Sequence, residues 1–196
     1  MNTRDATSTA NTWSVDRSLV TLRPVEEGDV DEILKWVNDK EIVGNLATFA
    51  GKPLTREEEV AWVRKVRTSN DERVFTVLRA SDGRYLGQVG LHQIFWRSKV
   101  ARAAAILSAR EEMGKGYGSA AIAALLDVAF TELGLHKVWL MVFEKNERSR
   151  RTWKRLGFLE EGNLRDEYFH ENAWHNMIRM GMLSHEWRDG RSAGGA

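Results

Sequence analysis

The spacing of apolar residues changes period several times along the chain. Val20 to Val25 (VTLRPV) reads as a short strand that Pro24 brings to an end. From Glu27-Gly28-Asp29 onward, Val30, Ile33, Leu34 and Val37 fall at helical spacing. A loop holding Gly44, Gly51 and Pro53 leads to Thr55-Arg56-Glu57-Glu58. There a Thr hydroxyl and a Glu three residues later can satisfy each other's orphan amides, and the helix behind carries Val60, Trp62, Val63 and Val66. Three extended runs follow, Arg73 to Ala80, Tyr85 to Trp96 and Val100 to Ser108, the first two joined through the hairpin pair Asp82-Gly83. A glycine-rich loop then opens a helix from Ser119 to Leu133 with a continuous apolar face. Lys137 to Phe143 (KVWLMVF) is apolar on both faces, as a central strand is. A basic helix from Glu147 to Leu156 and two strands, around Phe158 to Phe169 and Trp174 to Leu183, complete the pattern. The predicted order is β-α-α-β-β-β-α-β-α-β-β, an α/β domain on a mixed sheet.

Length and composition narrow this picture. At 196 residues the chain has room for one domain, expected over 19–187, between a disordered tail at 1–18 and a flexible tail at 188–196. Hydrophobic residues at 42% are enough for a real core. With 29 Lys+Arg against 28 Asp+Glu the net charge is +1, which excludes a dominant basic surface of the kind nucleic-acid binders use, though not a local patch, and no nucleic-acid partner is expected. No cysteine is present, so disulfides, thiolate metal sites and a cysteine nucleophile are excluded, in keeping with a cytoplasmic protein. No run approaches the ~20 apolar residues of a membrane span, and the polar start lacks the apolar core of a secretory signal.

The loop from Ala109 to Ser119 (AREEMGKGYGS) holds the first candidate chemistry. Glycines at 114, 116 and 118 let the backbone turn sharply and expose its amides, and the helix behind adds unpaired amides with a partial positive charge. Together they suit a phosphate or pyrophosphate, to which Lys115 could add charge. The loop lacks the Gly-Lys-Ser/Thr ending of an NTP-binding P-loop and the glycine spacing of a dinucleotide fingerprint. Glu111 and Glu112 are expected to face solvent.

A second motif follows the KVWLMVF strand. Asn146-Glu147-Arg148-Ser149 starts a helix and Leu156-Gly157-Phe158 ends it. Gly-x-Gly-x-Gly opening one helix, with Asn-x-x-Ser and Leu-Gly-Phe around the next, resembles the GNAT superfamily of N-acetyltransferases over about Val20 to Trp187. The Leu135-His136-Lys137 and Arg179-Met180 stretches are similar to the RimJ/RimL branch and its small-molecule relatives. The resemblance implies a single GNAT-like domain with a mixed, mostly antiparallel sheet, helices on both faces, and a splayed central strand pair that receives acetyl-CoA. It implies that amides of Met113, Gly114, Lys115, Gly116, Tyr117, Gly118 and Ser119 hold the pyrophosphate. The backbone near Leu107 and Ser108 would pair with the pantetheine arm and offer an oxyanion donor. Asn146 would contact the cofactor beside the thioester, and Arg148 would reach phosphate. Met113 stands where relatives usually carry Gln or Arg, which removes a side-chain contact and leaves the amides.

Acetyl transfer needs a base for the amine, a donor for the thioester oxygen and a proton or hydrogen bond for the leaving thiolate. Trp153 occupies the position where many relatives carry an acidic Tyr; an indole N–H does not release its proton, so Trp153 is expected to pack. Ser149, one turn earlier on the same face, is the candidate partner of the sulfur, directly or through water. His92, on the strand beside Val100 to Ser108, is the candidate base, since its ordinary pKa near 6.5 suits the task. His170 and His175 have the wrong spacing for a shared helical face, and no metal is expected. Arg148, Arg150, Arg151, Lys154 and Arg155 read as a solvated helix face.

The acceptor pocket is expected between Asn38 to Leu54 and Arg165 to Trp174. Val43 to Ala50 offers no carboxylate for a polycation, and with Thr55 to Trp62 it resembles the amino-sugar acetyltransferases of nonulosonic-acid pathways. The expected acceptor is therefore the primary amine of a small molecule such as an amino sugar or an antibiotic. A polyamine, a protein N-terminal amine and a non-catalytic acyl-CoA-binding module are the alternatives. Exposed aromatics at Trp174 and Trp187 leave room for a homodimer.

Overall fold

The computed structural model describes residues 15–44 and 53–192. Seven strands form one sheet: β1 (Val20–Pro24), β2 (Arg73–Arg79), β3 (Tyr85–Phe95), β4 (Val100–Leu107), β5 (Lys137–Phe143), β6 (Leu159–His170) and β7 (Ala173–Leu183). Their order is β1-β2-β3-β4-β5-β7-β6, and every neighbouring pair is antiparallel except β4 with β5. That parallel contact is three residues long, Val100 to Arg102 against Lys137 to Trp139. Beyond it the two strands part. β4 stays on β3 as far as Leu107, and β5 stays on β7 as far as Phe143, so each keeps one bonded edge and turns the other into an open wedge. This is the splayed central pair expected from the sequence.

Helices cover both faces. α1 (Val30–Val37) and α3 (Arg56–Thr68) pack Val30, Ile33, Trp36, Val63 and Val66 against Val74 on one face. On the other, α4 (Tyr117–Asp127) and α5 (Glu147–Arg155) bring Ala120, Ile122, Leu126 and Trp153 onto Leu86, Leu91, Val138 and Leu140. The capping box read at Thr55 is formed, with Glu58 N–H on the Thr55 hydroxyl and Thr55 N–H on the Glu58 carboxylate.

The structure departs from the sequence reading at four places. A short helix, α2 (Lys40–Val43), stands where a loop was expected; the Asp39 carboxylate caps it by accepting from Glu41 N–H. α4 begins two residues early, at Tyr117, and continues as a π-helix over Val128–Glu132. A final helix, α6 (Ser184–Ser192), runs past Arg188, where an irregular tail was expected. Trp187 on that helix is 1% exposed: its indole N–H donates to Asp127 (3.2 Å) and the Arg17 guanidinium lies over its ring. It is therefore no part of a free aromatic surface, whereas Trp174 is 62% exposed and packs at a tilt against Phe169 near the tip of the last hairpin. The segments 1–14 and 193–196, and most of the loop read as carboxylate-free, lie outside the described residues.

Candidate active site

The mouth of the wedge lies between two helix starts. On the β4 side, Gly114 and Gly116 both have positive φ (85° and 91°), and Gly116 caps α4 in the left-handed conformation. No side chain fills that cap, so the first amides of α4 remain donors aimed at the mouth. On the β5 side, Asn146 caps α5, its side-chain oxygen accepting from Ser149 N–H at 3.0 Å. Between them, the Arg148 guanidinium of α5 reaches the Met113 sulfur at 2.9 Å, bridging the two sides. A thioether is a weak acceptor that a phosphate oxygen readily displaces.

The glycine loop is held from behind. Glu112 is buried rather than exposed as expected, and its carboxylate accepts from Lys115 (2.9 Å), Arg79 (2.9 Å) and Arg84 (3.4 Å). The Lys115 bond, with Arg79 and Arg84 beside it, holds Glu112 below the usual carboxylate range. Lys115 thus anchors the loop, and Arg148 faces the mouth. Ser108 likewise differs from expectation: its N–H (2.9 Å) and its hydroxyl (3.3 Å) both donate to the Leu86 carbonyl, on the β3 side and away from the wedge. From Ala103 to Leu107, β4 pairs with β3 alone and leaves its other edge free along the wedge.

From Leu107 at the mouth to Arg102 at the apex is five steps, about 16 Å of strand, enough to lay out an extended pantetheine chain. At the apex one cross-strand row unites three side chains. His92 on β3 lies opposite Arg102 on β4, which lies opposite Trp139 on β5 in the last bonded pair. This row is on the α1/α3 face: His92 Nε2 lies over Gly90, where an added Cβ would stand 2.9 Å from it and 3.1 Å from Val74. Glu72 faces the ring, its carboxylate 3.8 Å from Nδ1. Burial lowers the His92 pKa; Glu72 opposes this and Arg102 adds to it, so the imidazole is neutral at pH 7.

Ser149 is half-buried on the first turn of α5, and Trp153 on the next is buried with Phe158 edge-on at 4.9 Å, the packing role expected of it. The sequence reading missed Arg102 and Glu72. The signal for Arg102 was present, a lone cation inside the otherwise apolar Val100 to Leu107. A second hollow of about 350 Å³ opens beyond β5, lined by Phe143, Glu144, Asp166, Trp174 and His175. The His175 ring packs on Phe143 and its Nε2 lies 3.1 Å from the His170 carbonyl. Among the described residues no group of three or more His, Asp or Glu side chains is arranged to hold a metal.

A wedge with a free strand edge on each side and two helix N-termini at its mouth suits a phosphate-bearing cofactor with an extended arm, as a CoA-dependent acyltransferase requires. Residues 20–159 match the acetyltransferase (GNAT) domain, and the chain belongs to that family. It is 31% identical over 170 residues to spermidine N(1)-acetyltransferase of Vibrio cholerae serotype O1, covering 87% of this chain and 96% of that protein. YdaF of Bacillus subtilis, a candidate ribosomal N-acetyltransferase, is 30% identical over 176 residues, 86% of this chain and 93% of its own. The crystal structure of the Vibrio cholerae spermidine N-acetyltransferase with CoA and spermine superposes with a TM-score of 0.80 at 31% identity, covering 87% of this chain and 99% of that one. The protein is an acetyl-CoA-dependent N-acetyltransferase.

Proposed function

We propose that the acceptor is the primary amine of a small molecule that is not strongly cationic, such as an amino sugar or an antibiotic, and that it attacks acetyl-CoA directly in a ternary complex. The observation that carries this reading is the apex row, which places His92 and Arg102 on the α1/α3 face where β4 and β5 separate. Bound acetyl-CoA supplies the activated acetyl group. Glu72 faces Nδ1 of His92 and favours the proton there, leaving the Nε2 lone pair to take the proton from the attacking amine. The C–N bond forms, an amide of the free β4 edge donates to the thioester oxygen, and the C–S bond breaks. Ser149, or a water it holds, hydrogen-bonds the departing sulfur.

A polyamine is the second reading. Glu144 and Asp166 line the hollow beyond β5 together with Lys145 and are anionic partners for an ammonium chain, and relatives named for spermidine support it. Release of CoA thiol, measured with glucosamine, aminoglycosides, spermidine and short peptides, separates these classes. Turnover led by glucosamine supports the first reading, by spermidine or the polycationic aminoglycosides a strongly cationic acceptor as in the second, and by peptides a protein N-terminus. Acetyl-CoA binding without thiol release from any amine contradicts catalysis by this chain.

A further inference from the structure

Arg102 is a half-buried charge in the last bonded pair of β4 with β5. Its Nε is buried and has no hydrogen-bond partner. An unpaired buried donor is costly, and more so when charged. Glu72 acts on it through space rather than by a hydrogen bond. Arg179 of β7 lies over the Trp139 ring at 4.2 Å, beside the same end of the wedge, and is paired with Glu161 at 3.7 Å, which leaves Arg102 as the less compensated of the two. A guanidinium at the apex repels a second ammonium brought to the same place. It attracts an oxyanion, to which it presents charge-assisted donors.

We propose that Arg102 is the specificity-determining residue of the acceptor site, and that the preferred amine carries an anionic oxygen group, a carboxylate or a phosphate, which Arg102 binds while the amine meets the thioester. This inference rests on the acetyl-transfer reading above and narrows its acceptor class.

The experiment uses the full chain and acetyl-CoA, with thiol release measured for matched primary amines. These are amino acids against their carboxamides, glucosamine 6-phosphate against glucosamine, and spermidine. The acid-bearing or phosphate-bearing member of each pair is expected to have a kcat/KM about tenfold or more above its neutral partner, the size one charge-assisted hydrogen bond supplies. Amino acid and sugar phosphate arms distinguish the two oxyanions. Arg102→Gln is expected to bring that ratio close to one, and Arg102→Lys to restore part of it, while stabilisation by acetyl-CoA shows that each variant is folded. A wild-type preference for neutral amines or spermidine, or an unchanged ratio in Arg102→Gln, overturns the inference and leaves acetyl transfer standing. No thiol release from any amine overturns both.

Discussion

His92 shows how much one side chain depends on the atoms behind it. Its ring occupies the space left by the missing side chain of Gly90, and Glu72 faces its other nitrogen. His92→Gln is expected to lower kcat about a hundredfold, the low end for a positioned base, with KM for acetyl-CoA nearly unchanged. Because burial holds the imidazole below its usual pKa, wild-type activity is expected when that group is neutral and is expected to be lost as pH falls below the ordinary histidine range. Gly90→Ala moves the ring and reproduces much of the loss in kcat; a pH–rate profile identical to wild type in both variants would remove His92 from the chemistry. Of this neighbourhood, the sequence exposed the histidine but not its setting. Glu72 precedes β2 by one residue and Arg102 lies ten residues beyond His92, so only the strand register makes them neighbours. Trp153 was legible for a simpler reason: an indole cannot serve as an acid, and the core was the place left for it.

At the scale of elements, the two helix starts carry the cofactor argument. Gly116 holds a left-handed cap, which costs a side-chain-bearing residue ~1–2 kcal/mol, so Gly116→Ala is expected to raise KM for acetyl-CoA more than it lowers kcat. Arg148→Met should raise the same KM about tenfold, the worth of one charge-assisted bond to phosphate, and leave kcat with saturating acetyl-CoA near wild type. Titration by steady-state kinetics checks both. The strands and main helices were readable because their apolar periods are long. α2 was not, since four residues have no period to read and Asp39 defines the helix through one cap bond. α6 was hidden by composition: Ser184 to Ser192 is polar and contains Gly190, and it is tied down by Trp187 on Asp127 and Arg17, a contact between residues far apart in sequence. Glu112 was misread for the same reason, because the three cations that bury it come from β2, the β2–β3 turn and its own loop.

The whole molecule is a sheet held together on both sides of an opening, and its stability must not depend on closing that opening. One buried link on the far side of the wedge is Asp29, which accepts from Arg23 (2.8 Å), the Thr76 hydroxyl (2.7 Å) and Glu26 N–H (2.9 Å) and so ties the start of α1 to β1 and β2. Burial alone would raise its pKa, but those bonds bring it below the usual carboxylate value. Asp29→Asn is expected to cost about 2 kcal/mol at pH 7, the lower range for a broken buried pair because Arg23 is one-third exposed. The sign follows from the depressed pKa: the contribution is present above about pH 4 and disappears as pH falls through the folded value, so variant and wild type converge in acid. Denaturant melts at pH 7 and at steps below pH 4 check this, and a gap that does not narrow as the pH falls would contradict it.

The wedge between β4 and β5 is the central claim, and its most direct test is the melting temperature with acetyl-CoA, NADH or ATP at equal concentration. At about 100 times its dissociation constant a ligand of the native state adds about 2.7 kcal/mol, which for a chain of this size is a rise of roughly 5–10 °C. A rise with acetyl-CoA, absent with NADH and ATP and reduced in Arg148→Met, is the expected result. No rise with acetyl-CoA, or a larger one with NADH, would contradict the assignment of the wedge and of the glycine loop at its mouth.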